Sequence, residues 1–314
     1  MSKLKTAVIG VGYLGKFHAD KYAELPNSEL IAVVDANADT ANAIAAKHGA
    51  QGLTDYHSLL GQVDAVSIAV PTSLHHKVAK DFLEHGSHVL IEKPITVTVE
   101  EADELIELAR QKELFIQVGH LERFNAAILE LDKVLGAPMF IESHRLAPFN
   151  PRATDVNVVL DLMIHDIDII LNVVRSDIKS ISASGTKVLT DTIDIANARL
   201  EFENGCVANV TASRISMKTE RKMRLFQPDS YISVDFHNRS LDVYRKGENE
   251  MFPGIPEIVS AESVFENNDA LKLEIIAFLD AIQHNTPVKV SGEDGRRALI
   301  TAHKITKLLN PNVA

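Results

Sequence analysis

The sequence is poor in cysteine, lacks tryptophan and has no excess of positive charge over its 314 residues. Its single cysteine, Cys206, excludes an intrachain disulfide and a metal site built from several cysteines, which fits a reducing compartment. With no tryptophan and five tyrosines, a large aromatic binding platform is not expected. The formal net charge of −11 disfavours nucleic acid and anionic membranes as partners, but a local basic patch is still able to bind a phosphorylated small molecule.

A hydrophobic run long enough to span a membrane is also missing. The most apolar stretch, residues 158–174, is interrupted by acidic residues and a histidine, and it falls short of the roughly 20 apolar residues that a spanning helix needs. Near the amino terminus, Lys3 and Lys5 precede an apolar run that stops by Lys16, and no small-residue cleavage site follows. This run is interpreted as a first strand rather than a signal peptide, and a cytoplasmic protein is predicted.

The order of the predicted elements divides the chain into residues 1–121 and residues 122–314. In the first part, strand-like apolar runs alternate with amphipathic helical segments, which predicts a doubly wound parallel α/β domain. In the second part, two helical segments precede consecutive strands joined by short turns, which predicts an α+β domain with a mostly antiparallel sheet. Two further helices close the chain, and the last one is a candidate for packing back on the first domain.

The predicted elements of the second part have the following bounds. The helical segments are Leu121–Leu135, Asp155–Val174, Asn268–His284 and Glu293–Leu309. The strands are Ile178–Thr186, Ile193–Phe202, Cys206–Arg214, Arg221–Phe226, Tyr231–Asp235 and Ser240–Tyr244.

A glycine-rich turn follows the first predicted strand and precedes a helix. Gly10, Gly12 and Gly15 have the spacing of a dinucleotide-binding turn, in which glycines allow close approach of the backbone to a pyrophosphate at a helix N-terminus. Tyr13 and Leu14 lie in the same turn and are predicted to contact the cofactor. The alternative is a glycine-rich turn that binds no ligand.

Asp35 closes the second predicted strand, about 20 residues after the turn. A carboxylate at that place accepts hydrogen bonds from the adenosine ribose hydroxyls and repels a 2′-phosphate. No arginine or lysine follows directly, because the next residues are Ala36, Asn37 and Ala38. The sequence therefore favours NAD over NADP.

Two further groups of residues stand where predicted parallel strands end. Glu92 and Lys93, followed by a proline, come directly after the fourth predicted strand, residues 88–91. Ligands of an open parallel sheet lie beyond such carboxyl ends. Lys93 is therefore either a cofactor-side group or a surface lysine at a strand end. At the equivalent end of the third strand are Pro71, Thr72 and His75. These three residues either line the nicotinamide ribose or start a helix.

Asp161, His165 and Asp168 are spaced i, i+4 and i+7 in an otherwise apolar segment, so in a helix they share one face. Buried ionisable groups need partners or a function. The Asp161 carboxylate is able to bond one imidazole nitrogen of His165, which leaves the other nitrogen to exchange a proton. The alternatives are a structural pair or a polar stripe that faces solvent. A metal site is not predicted, because two or three ligands on one helix do not complete one.

These motifs occur in the order seen in the glucose–fructose oxidoreductase/inositol dehydrogenase/rhizopine-catabolism (Gfo/Idh/MocA) family, which the sequence resembles over essentially its whole length. The resemblance rests on the glycine turn, Glu92-Lys93-Pro94, residues 119–125 and Asp161-x-x-x-His165. It implies an N-terminal Rossmann domain, a C-terminal α+β domain whose open sheet often mediates oligomerisation, and oxidation of a pyranose or cyclitol with a nicotinamide cofactor. It also implies that Lys93, Asp161 and His165 are the catalytic residues.

A narrower resemblance is carried by residues 119–125, 161–168 and 194–199. These strings are similar to those of bacterial dehydrogenases that oxidise C3 of UDP-N-acetylglucosamine, whose 3-keto product serves an aminotransferase on the route to lipid A. The resemblance implies a sugar-nucleotide substrate, a homodimer or homotetramer and a pathway aminotransferase as a possible partner. The predicted substrate-binding residues are Lys93, His120, Arg123, Arg152, Asn157, Asp161, His165 and Arg214.

Basic residues cluster in the second part of this acidic chain. They either bind a substrate pyrophosphate or form a solvated strand edge that discourages aggregation. The cluster consists of Arg214, Lys218, Arg221, Lys222 and Arg224, and a second basic pair consists of Arg145 and Arg152.

The sequence as a whole predicts an NAD-dependent dehydrogenase of a sugar nucleotide. His165 is expected to act as general base oriented by Asp161, and Lys93 to stabilise the developing alkoxide. Two alternatives stay open: a dehydrogenase of a free sugar or cyclitol, and a non-catalytic dinucleotide-binding sensor. Lys93, Asp161 and His165 together argue against the sensor, which has no need of a proton relay.

Overall fold

The computed structural model describes residues 3–150, 156–265 and 269–310. Its contacts divide the chain into two units, Met1–Leu121 with Asp269–Leu299, and Glu122–Asn268 with Ile300–Ala314. The sequence assigns residues 269–299 to the second domain, with the last helix as a candidate for packing on the first. In the structure all of these residues belong to the first unit. Among the described residues, no helix is both long and apolar enough to cross a membrane.

A parallel sheet forms the centre of the first unit. Its six strands are β1 (Leu4–Ile9), β2 (Ser28–Val34), β3 (Gln51–Leu53), β4 (Ala65–Ile68), β5 (His88–Glu92) and β6 (Ile116–Gly119). They lie in the order β3-β2-β1-β4-β5-β6, and every described pairing is parallel. This arrangement confirms the predicted doubly wound sheet. The strand order reverses between β1 and β4, and ligands of such sheets bind outside the carboxyl ends of the strands at that point.

Several helices of the first unit begin at a residue whose side chain caps them. The helices of this unit are α1 (Gly15–Glu24), α2 (Ala38–His48), α3 (His75–Glu84) and α4 (Val99–Lys112), with α7 (Ala270–His284) and the first residues of α8 (Gly292–Leu309). In α4, Thr98 and Glu101 form a capping box, and the helix ends at Glu113 in the left-handed conformation. Ile275, Phe278 and Leu279 of α7 lie in one core cluster with β1 and β2, so α7 is part of the first hydrophobic core.

A mixed sheet forms the centre of the second unit. Its eight strands are β7 (Phe140–Leu146), β8 (Ile178–Thr186), β9 (Ile195–Phe202), β10 (Val207–Ser213), β11 (Glu220–Phe226), β12 (Ser230–Asp235), β13 (Ser240–Phe252) and β14 (Ile255–Val264). The strand order is β14-β13-β12-β11-β7-β10-β9-β8. Among the described strands of this second sheet, only the β7–β10 pairing is parallel, so the predicted, mostly antiparallel sheet is confirmed. Strands β7 and β14 are not among the strands predicted from the sequence.

The helical segments of the second unit differ from the predicted ones in two places. The predicted helix Leu121–Leu135 is a 3-10 turn, Leu121–Phe124, followed by α5 (Ala126–Val134), because Asn125 is extended and caps α5 through its side chain. The predicted helix Asp155–Val174 is a π-helical turn, Val159–Met163, followed by α6 (Ile164–Val174).

Helix α6 packs on β7 and β10. The inward positions of β10 are Ala208, Val210 and Ala212, whose side chains are completely buried. Side chains this small let the helix axis approach the sheet closely, which places the π turn and α6 at the centre of the second core.

Candidate active site

The glycine turn after β1 has the geometry that a pyrophosphate site requires. Gly10 has a φ of 86°, and a Cβ on Gly15 would lie 1.8 Å from the carbonyl oxygen of Gly10. Any side chain at position 15 would therefore collide with the turn. A Cβ on Gly12 would meet no atom of the described residues within 4 Å, so the turn is open on that side. Tyr13 is 69% exposed and Leu14 is half-buried.

Helix α1 begins directly at this turn without a side-chain cap from the described residues. Its first backbone N–H groups and the positive end of its dipole therefore suit an anion such as a pyrophosphate. Lys16 belongs to the first turn of α1 and stands over the ring of Phe17, with its ammonium nitrogen 5.0 Å from the ring centroid.

Asp35 lies at the carboxyl end of β2, next to the glycine turn. Its Oδ2 accepts a hydrogen bond from the backbone N–H of Val11 at 3.1 Å, and its Oδ1 accepts one from Asn37 at 3.0 Å. Each oxygen of a carboxylate has a second acceptor site. The side chain is therefore fixed in place and still able to accept hydrogen bonds from a ligand diol.

Beyond β4, the chain forms a 3-10 turn, Thr72–Leu74, and then α3 begins at His75. The ring of His75 is buried, with Nδ1 2.9 Å from the carbonyl oxygen of Pro94 and Nε2 2.9 Å from that of Val70. Of the two alternatives for His75, lining the nicotinamide ribose or starting a helix, the structure favours the second. The ring connects the loop that contains Val70 to the loop that contains Pro94, and both of its nitrogens are used in these contacts. Thr72 is half-buried in the intervening turn.

Strands β5 and β6 end side by side, with Glu92 opposite Gly119. Lys93 and His120 directly follow these two residues, so both lie at the carboxyl edge of the sheet. His120 is buried. The Glu92 carboxylate is hydrogen-bonded to Nε2 of His18 in α1 at 3.1 Å, a contact that the sequence analysis did not foresee.

Asp161 and His165 lie at the start of the buried helix of the second unit. Asp161 is in the π-helical turn, His165 is in the first turn of α6, and both are half-buried. Single π-helical turns occur frequently at functional sites. Asn157 caps this turn, because its Oδ1 accepts hydrogen bonds from the N–H groups of Val159 and Leu160 at 3.0 and 3.1 Å. The structure thus favours a capping role for Asn157 over the predicted contact with substrate.

The other acidic residues of α6 form buried ion pairs. Arg123 donates to both oxygens of Asp168 at 2.6 and 2.9 Å, and the two side chains are 4% and 2% exposed. Arg145 donates to Asp166 at 2.7 Å and to Glu122 at 3.0 Å. Burial alone would lower the pKa of Arg145, but the two carboxylates outweigh it and raise the pKa above the ordinary value.

These pairs change the interpretation of Arg123 and Asp168. The guanidinium of Arg123 is held by a carboxylate in the core, so the structure favours a structural role over the predicted contact with substrate. The predicted polar face of α6 is divided in the same way. Asp161 and His165 stay half-buried, whereas Asp168 faces a buried arginine.

Arg214 is likewise buried on a carboxylate. Its Nε donates to Asp194 at 3.0 Å, and its Nη2 donates to the Thr192 hydroxyl at 2.6 Å. Burial raises the pKa of Asp194, but hydrogen bonds from the Thr190 hydroxyl and from three backbone N–H groups of residues 188–190 hold it well below the ordinary value. The structure therefore favours an organising role for Arg214 in this turn. The predicted substrate ligand Arg152 lies outside the described residues.

The remaining basic side chains of the cluster each face an acidic partner. Strand β11, which carries most of them, lies between β7 and β12, so the strand-edge alternative is wrong. The structure also removes the excess of positive charge that a pyrophosphate site in this cluster would need. The pairs are Lys218 with Glu220, Arg221 with Glu122, Lys222 with Asp235, and Arg224 with Glu142.

A network of buried polar side chains beneath the carboxyl edge of the parallel sheet was missed by the sequence analysis. It contains His18, Tyr22, Ser67 and Glu92. Glu274 of α7 lies close enough to contribute to the raised pKa of Tyr22, and the charge of Glu92 helps to raise the pKa of Glu274 itself. The signal in the sequence was weak, since it consists of single polar residues within otherwise apolar helix and strand patterns.

The parallel sheet, the glycine turn and Asp35 together define a Rossmann-type dinucleotide-binding protein. Residues 4–120 match the model of the "Oxidoreductase family, NAD-binding Rossmann fold", and residues 129–229 match that of the "GFO/IDH/MocA C-terminal domain". The chain belongs to the Gfo/Idh/MocA oxidoreductase family, as its motifs predict, and it is an enzyme of that class.

Several relatives cover nearly the whole chain. The chain is 43% identical over 306 residues to UDP-N-acetylglucosamine 3-dehydrogenase of Acidithiobacillus ferrooxidans, with 97% of each sequence covered. A solved structure of that dehydrogenase has a TM-score of 0.93 at 42% identity over 99% of both chains. Myo-inositol 2-dehydrogenase of Thermotoga maritima is 23% identical over 98% of this chain and 96% of its own. The same fold occurs in the structure of scyllo-inositol dehydrogenase from Lactobacillus casei with NAD(H) and scyllo-inositol. That structure has a TM-score of 0.81 at 20% identity, over 99% of this chain and 98% of its own.

Proposed function

We propose that this enzyme oxidises the C3 hydroxyl of UDP-N-acetylglucosamine with NAD. The observation that carries the proposal is the 43% identity, over 97% of both chains, to a dehydrogenase of that substrate. The inositol dehydrogenases among the relatives are 22–28% identical. A free sugar or cyclitol is therefore the second candidate substrate, and a non-catalytic sensor is disfavoured by the family's chemistry.

The residues of the first unit fit a nicotinamide dinucleotide. The pyrophosphate is assigned to the turn Gly10–Gly15 and to the N-terminus of α1, where the space over Gly12 is open. The adenosine ribose is assigned to Asp35, whose fixed carboxylate favours a free 2′-hydroxyl over a 2′-phosphate. Pro71, Thr72, Glu92 and Lys93 follow strands β4 and β5 at the same edge and are assigned to the nicotinamide half.

When bound, the nicotinamide supplies the electron-accepting carbon of the reaction. His165 takes the proton of the C3 hydroxyl as general base, and Asp161 holds the imidazole in the required tautomer. Lys93 stabilises the negative charge that develops on the oxygen. His120 remains a candidate contact to the sugar, whereas Arg123, Asn157 and Arg214 support the site through the buried contacts described above.

The product of this reaction is a 3-keto sugar nucleotide. Oxidation of a secondary alcohol by NAD is unfavourable at neutral pH, so an enzyme that consumes the ketone is needed to draw the reaction forward. A glutamate-dependent aminotransferase has the required chemistry, because it converts the ketone into an amine. We therefore include such an enzyme as a pathway partner.

The function is tested by incubating the protein with NAD, UDP-N-acetylglucosamine and an aminotransferase trap. We expect NADH to accumulate together with a UDP-sugar that carries an amine at C3. Myo-inositol and glucose, offered separately, serve as controls. Activity on either of them, with no product from the sugar nucleotide in the presence of the trap, would contradict the proposed substrate.

We also propose that the enzyme is a cytoplasmic homo-oligomer. The hairpin of β13 and β14 supports this, since β14 is an edge strand and six large apolar side chains of the hairpin are exposed. They are Met251, Phe252, Ile255, Ile258, Val259 and Val264. Light scattering of Ile258→Lys checks the assignment: a mass unchanged from that of the unaltered protein would count against this hairpin as the interface.

The location in the cytoplasm is supported by the lone Cys206, whose burial raises its pKa to about 11 and leaves an unreactive thiol.

A further inference from the structure

Three side chains and a carboxylate form a continuous hydrogen-bonded chain inside the first unit. The Tyr22 hydroxyl is 2.9 Å from Ser67 Oγ, which is 3.1 Å from Nδ1 of His18. Nε2 of His18 is 3.1 Å from Oε1 of Glu92. The first three side chains are completely buried, so the chain ends at the one residue that reaches the carboxyl edge of the sheet.

The hydrogen bonds of this series run in one direction, because the Glu92 carboxylate at its end is an acceptor. A carboxylate only accepts, so Nε2 of His18 donates to Glu92, and in the tautomer with its hydrogen on Nε2, Nδ1 accepts from the Ser67 hydroxyl. The Tyr22 hydroxyl then donates to Ser67. Burial raises the pKa of Tyr22 above its ordinary value, which keeps this hydroxyl protonated as the first donor. Each link then has one donor and one acceptor.

Glu92 is also confined on its other side. A Cβ placed on Gly119 would lie 3.0 Å from the carboxyl carbon and from both carboxylate oxygens of Glu92. The carboxylate thus lies close against the backbone of β6 at Gly119, where any side chain would press on it. Glu274, completely buried, has no hydrogen-bond partner for either oxygen among the described residues, and its burial together with the negative charge of Glu92 raises its pKa well above 4.5. Burial and the charge of Glu92 thus both favour the protonated form of Glu274.

A second histidine holds the residue that follows Lys93. The His75 ring lies between the carbonyl oxygens of Pro94 and Val70, 2.9 Å from each. Burial lowers the pKa of His75, so the ring is neutral at neutral pH and donates to one of the two carbonyls at a time. The segment Glu92–Pro94 is thus held at its first residue by His18 and at its last by His75.

We propose that His18 and His75 form a clamp on Glu92–Pro94 and act as positioning residues for Lys93, an inference that rests on the catalytic role of Lys93 proposed above. His18 keeps the Glu92 carboxylate on the inner side of the sheet edge, so that its charge is not available to the neighbouring lysine. His75 fixes the backbone direction in which the chain leaves Lys93. Neither histidine touches the reacting atoms.

The first test measures the titration of the Lys93 amine in the whole protein without substrate, by pH-dependent acetylation and mass spectrometry. In His18→Leu, the released Glu92 carboxylate becomes available to pair with the ammonium, and we expect the midpoint to rise by about half a pH unit or more. His18→Gln supplies an N–H for Glu92 and an acceptor for Ser67, so its midpoint should match that of the unaltered protein. Adding Glu92→Gln to His18→Leu should abolish the rise.

The second test compares turnover with cofactor binding. His18→Leu and His75→Leu should lower kcat about tenfold or more, since displacement of a catalytic group by as little as about 1 Å has effects of this size or larger. The KM for NAD should change less than about threefold, because the glycine turn and Asp35 are untouched. His88→Leu is the matched control. His88 begins strand β5, which ends at Glu92, and its Nδ1 accepts a hydrogen bond from the N–H of Phe115 at 3.0 Å. The kcat of His88→Leu should be unchanged.

Two outcomes would overturn the clamp. One is an unchanged Lys93 titration and an unchanged kcat in His18→Leu. The other is an equal loss in His18→Leu and His18→Gln that follows a lowered melting temperature with no change in the Lys93 titration, which would indicate a structural role only. The titration requires no turnover. A shifted midpoint in a protein that fails to oxidise UDP-N-acetylglucosamine would therefore support the clamp and reject the proposed substrate.

Discussion

At the scale of single residues, Asp35 decides the choice between NAD and NADP in the proposed function. Two backbone N–H groups hold its carboxylate beside the glycine turn. We expect Asp35→Ser combined with Ala36→Arg to shift the NAD/NADP ratio of kcat/KM by roughly tenfold or more, the effect of losing a charge-assisted hydrogen bond of about 1.5–3 kcal/mol. Asp39→Ala, an exposed acidic residue in the first turn of α2, is the control. A preference for NADP in the unaltered protein would contradict this role.

His165 carries the proton transfer in the proposed mechanism. Its ring must be neutral to accept a proton, and a free imidazole titrates near 6.5, so kcat for oxidation should rise with pH through a single ionisation. His165→Asn should lower kcat by roughly 10²–10⁴ with NAD binding retained, and Asp161→Asn should cost less because the proton acceptor remains. If His165→Asn keeps a near-normal kcat and the same pH profile, the base lies elsewhere, and Lys93 becomes the first candidate.

Glu274 links the stability of the first unit to pH. Burial and the neighbouring Glu92 raise its pKa above the ordinary value of 4.5, so the folded chain holds a proton that the unfolded chain releases. The stabilisation is complete below 4.5 and is lost as the pH rises toward the folded pKa, by up to about 1.4 kcal/mol per pH unit. The glutamine of Glu274→Gln does not titrate. The free energy of unfolding of this variant in urea should therefore rise relative to that of the unaltered protein between about pH 5 and pH 7. A constant difference would show that Glu274 is ionised, and the exposed Glu84→Gln is the control.

At the scale of secondary structure elements, ion pairs anchor the buried helix α6 in the second unit. Asp168 is the partner of Arg123, and removing one member of a buried pair costs about 3–5 kcal/mol because the other charge is left in the core. Asp168→Asn should therefore lower the free energy of unfolding by about that amount. Glu142→Gln breaks the half-exposed pair with Arg224 and should cost less than about 1 kcal/mol. Equal effects of the two substitutions on urea unfolding would rule out this anchoring role.

The elements also show how far sequence patterns predict the fold. Chain order and apolar spacing predict the parallel sheet, because its central strands β1, β4 and β5 are mostly buried on both faces and amphipathic helices follow them. Strand β7 was missed because its inward position Arg145 is charged, and only Asp166 and Glu122 neutralise it there. The π turn was missed because apolar spacing does not distinguish it from the α-helix that follows.

The same limit applies to the candidate site. Residues at strand ends, such as Asp35 and Lys93, are predictable because a parallel sheet brings its carboxyl ends to one edge. Arg123 and Arg214 are not, since the partners that bury their charges, Asp168 and Asp194, are 45 and 20 residues away along the chain. A single sequence shows the charge of an arginine and not the carboxylate that neutralises it.

At the scale of the whole molecule, the two units contribute different parts of the proposed reaction. The glycine turn, Asp35 and Lys93 belong to the first unit, and Asp161 and His165 belong to the second. The sequence did not place α7 in the first unit, because an apolar helix near the end of a chain is able to complete either core. Its buried Ile275, Phe278 and Leu279 identify the core to which it belongs.

The most direct test of the proposed function follows the hydrogen on C3 of the sugar. UDP-N-acetylglucosamine deuterated at C3 is incubated with the protein, NAD and the aminotransferase trap, and the NADH is analysed by mass spectrometry and NMR. The proposal predicts that the deuterium appears at C4 of the nicotinamide and that the unaltered protein is slower with the deuterated sugar if this transfer limits the rate. Unlabelled NADH, or deuterium retained at C3 of an oxidised sugar, would contradict oxidation at this carbon.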